Sequence, residues 1–243
     1  MLRRILRMTF TGVLLLGLSG EIRPASLTLS PVRIELSAAR PYAVLRITNS
    51  AAEPVTLHAR AFRWSFDEHD DVLTTTDDLI LNPPMATLPP KGVQVVRIGL
   101  RTPNQTTGEL TYRVIVEEVP AQKREAVGSE ISIILKLSIP VFAAPRQGAT
   151  PRLEWSARHT DTGQLVVEAV NRGLAHIQIR KLLISSSEDR TRSEKFEGAV
   201  YLLPSQRRQW TLKEIHSGSV RNLVVEALTD APNMRQKFTL DLN

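Results

Sequence analysis

The sequence predicts an all-β fold made of two immunoglobulin-like β-sandwich domains. Short runs in which every second residue is apolar recur along the chain, and this period of two is typical of strands. Fifteen prolines and twelve glycines punctuate these runs, as expected for turns between many short strands. The segment 144–151 carries two prolines, one glycine and no large apolar residue, so we predict that it links the two domains.

The first 25 residues have the pattern of a secretory signal peptide. Arg3, Arg4 and Arg7 precede a short apolar segment, and a small residue, Ala25, offers a cleavage point. The segment is short for a membrane-spanning helix, although an uncleaved membrane anchor is the alternative. We therefore expect an exported protein whose mature form has no membrane span.

Charge and cysteine content narrow the class of protein. The leader carries four arginines and one glutamate, so its removal lowers the net charge from +6 to +3. A nucleic-acid partner is therefore not expected, because the strong basicity belongs mostly to the leader. The chain has no cysteine, so each domain must be stabilised by a hydrophobic core rather than by disulfides.

The strands of the first domain follow from alternation and turn residues. Residues 26–36 form a strand interrupted at Pro31, and the proline-rich segment 79–92 suits edge strands and loops. The acidic stretch 67–71 is predicted to be an exposed hairpin tip. The other predicted strands are residues 42–49, 55–66, 93–100, 109–120 and 131–142.

A second series of strands follows the linker and is again long enough for one sandwich. The polar run 185–198 is predicted to be a solvated loop. The predicted strands are residues 152–158, 164–171, 176–185, 200–203, 207–212, 222–229 and 237–242.

No arrangement of residues in the sequence indicates catalysis. The histidines show no metal-ligand spacing, and each is expected to have a packing or surface role. They are His58, His69, His159, His176 and His216. The sequence also lacks a glycine-rich phosphate loop and a nucleophile elbow. We therefore predict neither a cofactor nor a metal. A secreted sandwich-fold enzyme, which would need clustered acid and base residues, is disfavoured.

The segment 131–142, ISIILKLSIPVF, is the most apolar strand of the first domain. Every odd position from Ile131 to Val141 is a large aliphatic residue. Such a face either packs in the core of its own domain or is kept for another protein.

Several segments together resemble the PapD-like periplasmic chaperones of chaperone–usher pilus assembly. These segments are SPVRIEL, LRITNSAAEPV, LPPKGVQVVRIG, ELTYRVIVEEVP, ISIILKLSIPVFAAP, LVVEAVNRGLAHIQIRKL and LLPSQRRQWTL. The sequence IPVFAAP is most similar to that of the chaperones in the branch that assembles archaic-type pili. The resemblance covers essentially the whole chain after the leader.

The resemblance implies two domains, 26–145 and 146–243, set at an angle with a cleft between them. In this family the chaperone lends its own strand to complete an incomplete pilus subunit, a process called donor-strand complementation. The implied partners are pilus (pilin) subunits and an outer-membrane usher. The implied location is the periplasm, and no cofactor is implied.

The resemblance also implies which residues would be lent. Ile131, Ile133 and Leu135 would enter the groove of the subunit, with Leu137 as a fourth. Ile139 to Phe142 are expected to belong to the core of the first domain. The alternative is that the whole face lies in that core.

Arg33 matches the cleft arginine with which the family holds the C-terminal carboxylate of a subunit. A guanidinium suits this role because it offers a carboxylate two parallel hydrogen bonds. The second cation of the family, a lysine, aligns with Pro140 and is therefore missing. Lys136, on the same face of the strand, or Arg113, on the preceding strand, are the candidate replacements.

A competing interpretation is a structural or adhesive sandwich component of a pilus. Such a protein would carry a free N-terminal extension of alternating apolar residues. Nothing between Ser26 and Arg33 has that pattern, which disfavours this interpretation.

Overall fold

The computed structural model describes residues 27–67, 70–120, 134–213, 215, 221–231 and 235–242. These residues form strands and turns without a helix, and accordingly no helix among them is long and apolar enough to cross a membrane. The leader and the predicted donor residues Ile131 and Ile133 lie outside the described residues.

The first half of the chain forms two antiparallel-rich sheets that face each other. Its strands are β1 Leu27–Ser30, β2 Ile34–Leu36, β3 Tyr42–Asn49, β4 Val55–Asp67, β5 Asp70–Thr75, β6 Leu79–Asn82, β7 Met85–Leu88, β8 Val93–Leu100, β9 Leu110–Glu118 and β10 Lys136–Ala143. One sheet has the order β1-β3-β8-β6. The other has the order β2-β10-β9-β4-β5, with β7 also paired to β4. The predicted interruption at Pro31 divides the first strand between these two sheets.

The second half forms another pair of sheets. Its strands are β11 Leu153–His159, β12 Leu165–Asn171, β13 Ile177–Ser186, β14 Ser193–Leu202, β15 Arg207–Thr211, β16 Asn222–Thr229 and β17 Arg235–Asp241. The sheet orders are β11-β12-β15 and β14-β13-β16-β17. The prediction of a loop over 185–198 is wrong for residues 185–186, which end β13, and for residues 193–198, which belong to β14. The main chain of this polar strand is hydrogen-bonded to β13. The sequence did not predict the strand because its apolar and polar residues alternate only weakly.

Each half has its own hydrophobic core. Ile34, Leu45, Val114, Ile139 and Val141 are at most 2% exposed in the first core, so the prediction that Ile139 and Val141 pack there is confirmed. A separate cluster packs between the halves and contains Trp64, Phe142 and Leu203, with Tyr201 against it. Phe142 therefore joins the two domains rather than filling the core of the first.

A buried asparagine ends one strand in each domain. Asn49, at the end of β3, donates its side-chain amide to the carbonyl groups of Glu53 and Pro89 at 2.8 and 3.1 Å. Asn171, at the end of β12, donates to those of Ala175 and Leu202 at 2.8 and 3.0 Å. Both amides hold a turn against a neighbouring strand, which explains why an asparagine closes each alternating run.

Candidate functional site

Three residues of the first domain lie in one row across neighbouring strands. On β10, Pro140 is directly opposite Arg113 of β9. On the other side, Val141 pairs in parallel with Ile34, so Arg33 lies level with Pro140 when that register is continued. Neighbouring strands are about 4.8 Å apart, and the main chains of Arg33 and Arg113 are therefore separated by about 10 Å.

These three side chains leave the sheet on the face turned away from the first core. Their neighbours Ile34 and Val141 are 1% and 0% exposed inside that core, and side chains alternate along a strand. Phe142 has the same parity as Pro140, and it contacts Tyr201 and His176 of the second domain. The row therefore lies on the wall of the cleft between the domains.

Arg33 is already held by two carboxylates. Its guanidinium forms an ion pair and a hydrogen bond with Asp230 of the second domain, and a further ion pair with Glu35 at 2.8 Å. Burial opposes the charge of Arg33, but the bond to Asp230 and the two negative charges raise its pKa above the ordinary value. Arg33 thus ties the domains together at the cleft wall.

A histidine extends this network. The main-chain N–H of His176 donates to Glu109 Oε2 at 2.9 Å, and its ring Nδ1 lies 2.7 Å from the same oxygen. Its Nε2 lies 4.0 Å from Asp230 Oδ2, and its ring stacks on Phe142 with a centroid separation of 3.4 Å. Glu109 of the first domain is thereby connected to Arg33 through two side chains of the second. A cleft of about 340 Å³ opens beside this network.

Arg113 has a different environment. Its guanidinium carbon lies 3.7 Å above the centre of the Trp64 ring and 5.9 Å from that of Tyr201. Its side chain is 16% exposed, and its ionic partner is Asp71 at 3.6 Å, whose own side chain is half exposed. Burial lowers the pKa of Arg113, while the negative charge of Asp71 opposes that shift.

Tyr201 stands within reach of both arginines. Burial raises the pKa of its phenol, and the positive charges of Arg33 and Arg113 act in the opposite direction. Tyr201 is therefore a residue of the second domain that faces both Arg33 and Arg113.

The beginning of β10 is an open edge within the described part of the chain. β2 pairs only with Val141–Ala143, so Lys136–Ile139 have a strand neighbour on the β9 side alone among the described residues. Leu135 accepts a hydrogen bond from the main chain of Glu118 at 2.9 Å, which fixes the alternation of the ladder. Because residues that bond to β9 alternate with residues that face away from it, the main-chain groups of Lys136 and Ser138 point to the open edge.

This alternation explains how a proline fits in β10. A proline has no N–H, and within sheets it is tolerated where the missing donor faces an edge. The missing donor of Pro140 falls on the side turned away from β9, so the ladder with β9 keeps all its bonds.

The predicted donor residues within the described part of the chain are Leu135 and Leu137. Both side chains are partly buried and share the parity of Ile139, whereas Ile134 points the other way and is 54% exposed. The aliphatic face thus continues from the first core toward the end of the sheet.

Comparison with known proteins gives the family. A family model described as pili and flagellar-assembly chaperone, PapD N-terminal domain, matches residues 26–149, about half of the chain. The chain belongs to the PapD-like pilus-assembly chaperones. No curated protein sequence matches it.

Solved structures of chaperones share the fold. The CsuC–CsuE chaperone–tip subunit complex from archaic Csu pili of Acinetobacter baumannii matches with a TM-score of 0.67 and 18% identity, over 90% of this chain and 100% of that one. The SafB chaperone complex with the SafA pilin from Salmonella enterica gives 0.62 and 14%, over 90% and 98%. The E. coli chaperone DraB gives 0.59 and 17%, over 91% and 98%. The two-sandwich fold predicted from the sequence is confirmed.

The structure separates the two residues of the predicted carboxylate anchor. Arg33 lies on the cleft wall of the chaperone, but Lys136 is exposed four residues before Pro140, about 13 Å along the strand. Lys136 is opposite Glu117, which Arg60 already binds at 2.5 Å. Arg113, the alternative replacement, is the cation that shares the row of Arg33.

Sequence reasoning missed the residues contributed by the second domain. His176 was expected to have only a packing or surface role, and Tyr201 and Asp230 had no predicted role. Each meets its partner only when the two domains pack, and alternation along a strand carries no information about that contact. The only feature of the sequence that could have indicated a cleft residue in the second domain was the acidic Asp230, which directly follows β16.

Proposed function

We propose that this chaperone binds incomplete pilus subunits by donor-strand complementation, using the open edge of β10. The observation that carries the proposal is the first part of β10, which has no second strand beside it among the described residues and ends where β2 begins. Its main-chain groups at Lys136 and Ser138 face outward, ready to pair with an added strand. The aliphatic residues of the same strand supply the side chains for the groove of a subunit.

The side chains are suited to this role. Leu135 and Leu137 share the face of the buried Ile139, so a subunit packed against the end of the sheet would continue an existing core. Burying each residue contributes about 1.5–3 kcal/mol. Ile131 and Ile133, which have the same parity, would extend the set of donor residues.

The cleft arginine sets the register in this proposal. Arg33 binds the C-terminal carboxylate of the subunit, using N–H groups beyond those paired with Asp230 and Glu35. Lys136 is the second cation that the sequence suggested for this anchor. A fixed chain end matters because a slip of one residue would turn every side chain of the added strand to the wrong face.

The partners and the location follow from the family. The subunit passes to an outer-membrane usher, and the work takes place in the periplasm after export by the N-terminal leader. Neither step uses a cofactor or a catalytic residue. The support is the chaperone family itself, together with a fold shared with chaperones that have been solved in complexes with pilus subunits.

The test compares two adjacent substitutions. Leu135→Asp places a charge on the donor face, and Ile134→Asp places the same charge on the opposite, exposed face. A pilus subunit that co-purifies with the wild-type chaperone should be lost with Leu135→Asp and retained with Ile134→Asp. Both variants should keep the circular dichroism spectrum of the wild type. Equal retention by both variants would refute strand donation.

A further inference from the structure

We propose that the first domain binds the surface of a membrane containing anionic phospholipids through the outer face of its β1-β3-β8-β6 sheet. This outer sheet face is the side turned away from the first core. Leu45, Ile47 and Ile98 point into that core and are at most 1% exposed, so the alternate residues of β3 and β8 point outward. The proposed strand donation uses the other sheet, and neither proposal depends on the other.

Large apolar side chains are exposed on the outer sheet face. Tyr42 is 70% exposed and Ile80 is 47% exposed, and the two lie in one row on either side of Gly99. Because glycine has no side chain, the middle strand leaves their flanks uncovered. Val44 and Val93, on the same face, are about half exposed. Exposed apolar groups that share one face indicate an interaction surface.

The charges of the outer sheet face are all positive. Arg46 and Arg97 are the charged residues at the outward positions of its four strands as the structure describes them. Both are exposed, and neither forms an ion pair with a described residue. Arg97 is directly opposite Val44, and Arg46 is directly opposite Val95, so the two arginines are diagonal neighbours that repel each other.

The sheets of the second domain differ in this respect. Lys237 of β17 is opposite Glu226 of β16, with 3.9 Å between Nζ and Oε1. On the β11-β12-β15 sheet, the outward face that carries Arg158 and Arg207 also carries glutamates, among them Glu168. These faces balance their charges internally, whereas the outer sheet face of the first domain leaves two cations for an anionic partner.

The arrangement of these residues favours a lipid surface over a protein. Arg46 and Arg97 lie among the exposed valines, so the apolar residues do not form one continuous patch. A protein interface has a dry centre from which charged residues are depleted. At a lipid surface, by contrast, the arginine stems lie along apolar groups while the guanidinium groups reach the phosphates. A tyrosine such as Tyr42 suits the boundary between headgroups and acyl chains.

The test measures binding to vesicles by sedimentation. The vesicles contain either equal amounts of phosphatidylglycerol and phosphatidylcholine or phosphatidylcholine alone. The exported chain is purified from the periplasmic fraction, because the basic and apolar leader would itself bind lipid. The variants are Tyr42→Ser and the double substitution Arg46→Gln with Arg97→Gln. The matched control is Arg158→Gln with Arg207→Gln, which removes the same charge from exposed sites of the second domain. Circular dichroism verifies the fold of each protein.

The wild type should bind the anionic vesicles and bind phosphatidylcholine alone much less. Each arginine should contribute about 5-fold, so the double substitution Arg46→Gln with Arg97→Gln should weaken binding about 25-fold. Tyr42→Ser should weaken binding about 3- to 10-fold, and this loss should persist in high salt, where the arginine contribution fades. The control should retain binding.

Two results would overturn the inference. An equal loss in the control would show that net charge, and not the outer sheet face, attracts the lipid. Absence of binding by the wild type would exclude a lipid partner. In that case, loss of a co-purifying protein from the arginine variant would assign the face to a protein, and dissociation of a wild-type dimer would assign it to a second copy of the chain. Co-purification of a pilus subunit, measured on the same proteins, reports separately on strand donation.

Discussion

Arg33 and Asp230 join the two domains through an ion pair whose acid is nearly buried. The side chain of Asp230 is 9% exposed and also accepts the main-chain N–H of Gln178 at 2.7 Å. The side chain of Arg33 is 29% exposed. The arginine that we propose as a subunit-binding residue is thus also part of the structure that fixes the cleft.

Asp230→Asn should loosen the domain contact. The asparagine keeps the shape of the side chain but removes the charge that Arg33 faces, leaving the arginine with the exposed Glu35. We expect a loss of about 1–3 kcal/mol in the free energy of unfolding, measured by urea denaturation. Asp161→Asn, at an exposed turn of the second domain, is the control and should change stability little. Equal stabilities of the two variants would show that the ion pair contributes nothing to the domain contact.

Ser138→Pro should abolish subunit binding without unfolding the chaperone. The N–H of Ser138 points to the open edge, so a proline there removes a bond from the added strand and none from the ladder with β9. Ser138→Ala is the control, because it loses the hydroxyl and keeps the N–H. Co-purification of a pilus subunit and thermal melting of the free chaperone measure the two effects. A normal yield of complex with Ser138→Pro would contradict the open-edge model.

Tyr112→Phe should remove a tyrosine that titrates late. Burial raises the pKa of Tyr112 to about 12, although the positive charge of Arg63 opposes this, and the phenol O–H donates to Asp78 at 3.0 Å. An unfolded tyrosine loses its proton near pH 10, so the stability that Tyr112 provides is complete below about pH 10 and is lost as the pH rises through about 12. Absorbance titration should show a component near pH 12 in the wild type that is missing from the variant. The exposed Tyr42→Phe is the control, and loss of the same component there would contradict the assignment.

Asn171→Ala should strongly destabilise the second domain. The buried side chain donates to two carbonyl groups and accepts the main-chain N–H groups of Arg152 and Gly173 at 3.1 and 3.0 Å. Leaving these groups without partners should cost about 2–4 kcal/mol in the free energy of unfolding. Gln164→Ala removes an exposed amide of the same domain and should cost less than about 0.5 kcal/mol. Similar midpoints of thermal unfolding in the two variants would contradict the role of Asn171.

The sequence was sufficient for the fold because its strands alternate strongly. Alternation placed Ile139 and Val141 on one aliphatic face, and the family resemblance assigned them to the first core. The break at Pro31 was predicted from the position of a proline inside a strand. β14 was mostly missed because the alternation of its polar residues is weak in the sequence. The domain boundary near residue 145 stays a prediction.

The site was predictable only in part. The resemblance suggests Arg33, whose binding role stays a prediction, and no local pattern could show that Arg113 faces Pro140. That register depends on how β9 and β10 pair across a long connection, and a shift of one residue would have put Arg113 on the other face. The contacts of His176 with Glu109 and Asp230 depend on the packing of two separate cores.

Pro140 gives the open edge a defined length. A strand added beside β10 finds main-chain donors at Ser138 and before it, then none at Pro140, and beyond that point β2 already occupies the edge. Any chain that pairs here must therefore stop pairing at the same level, whatever its total length. Under the proposed strand donation, different subunits would be aligned by the point at which their pairing ends, and partners with unrelated beginnings would share one register.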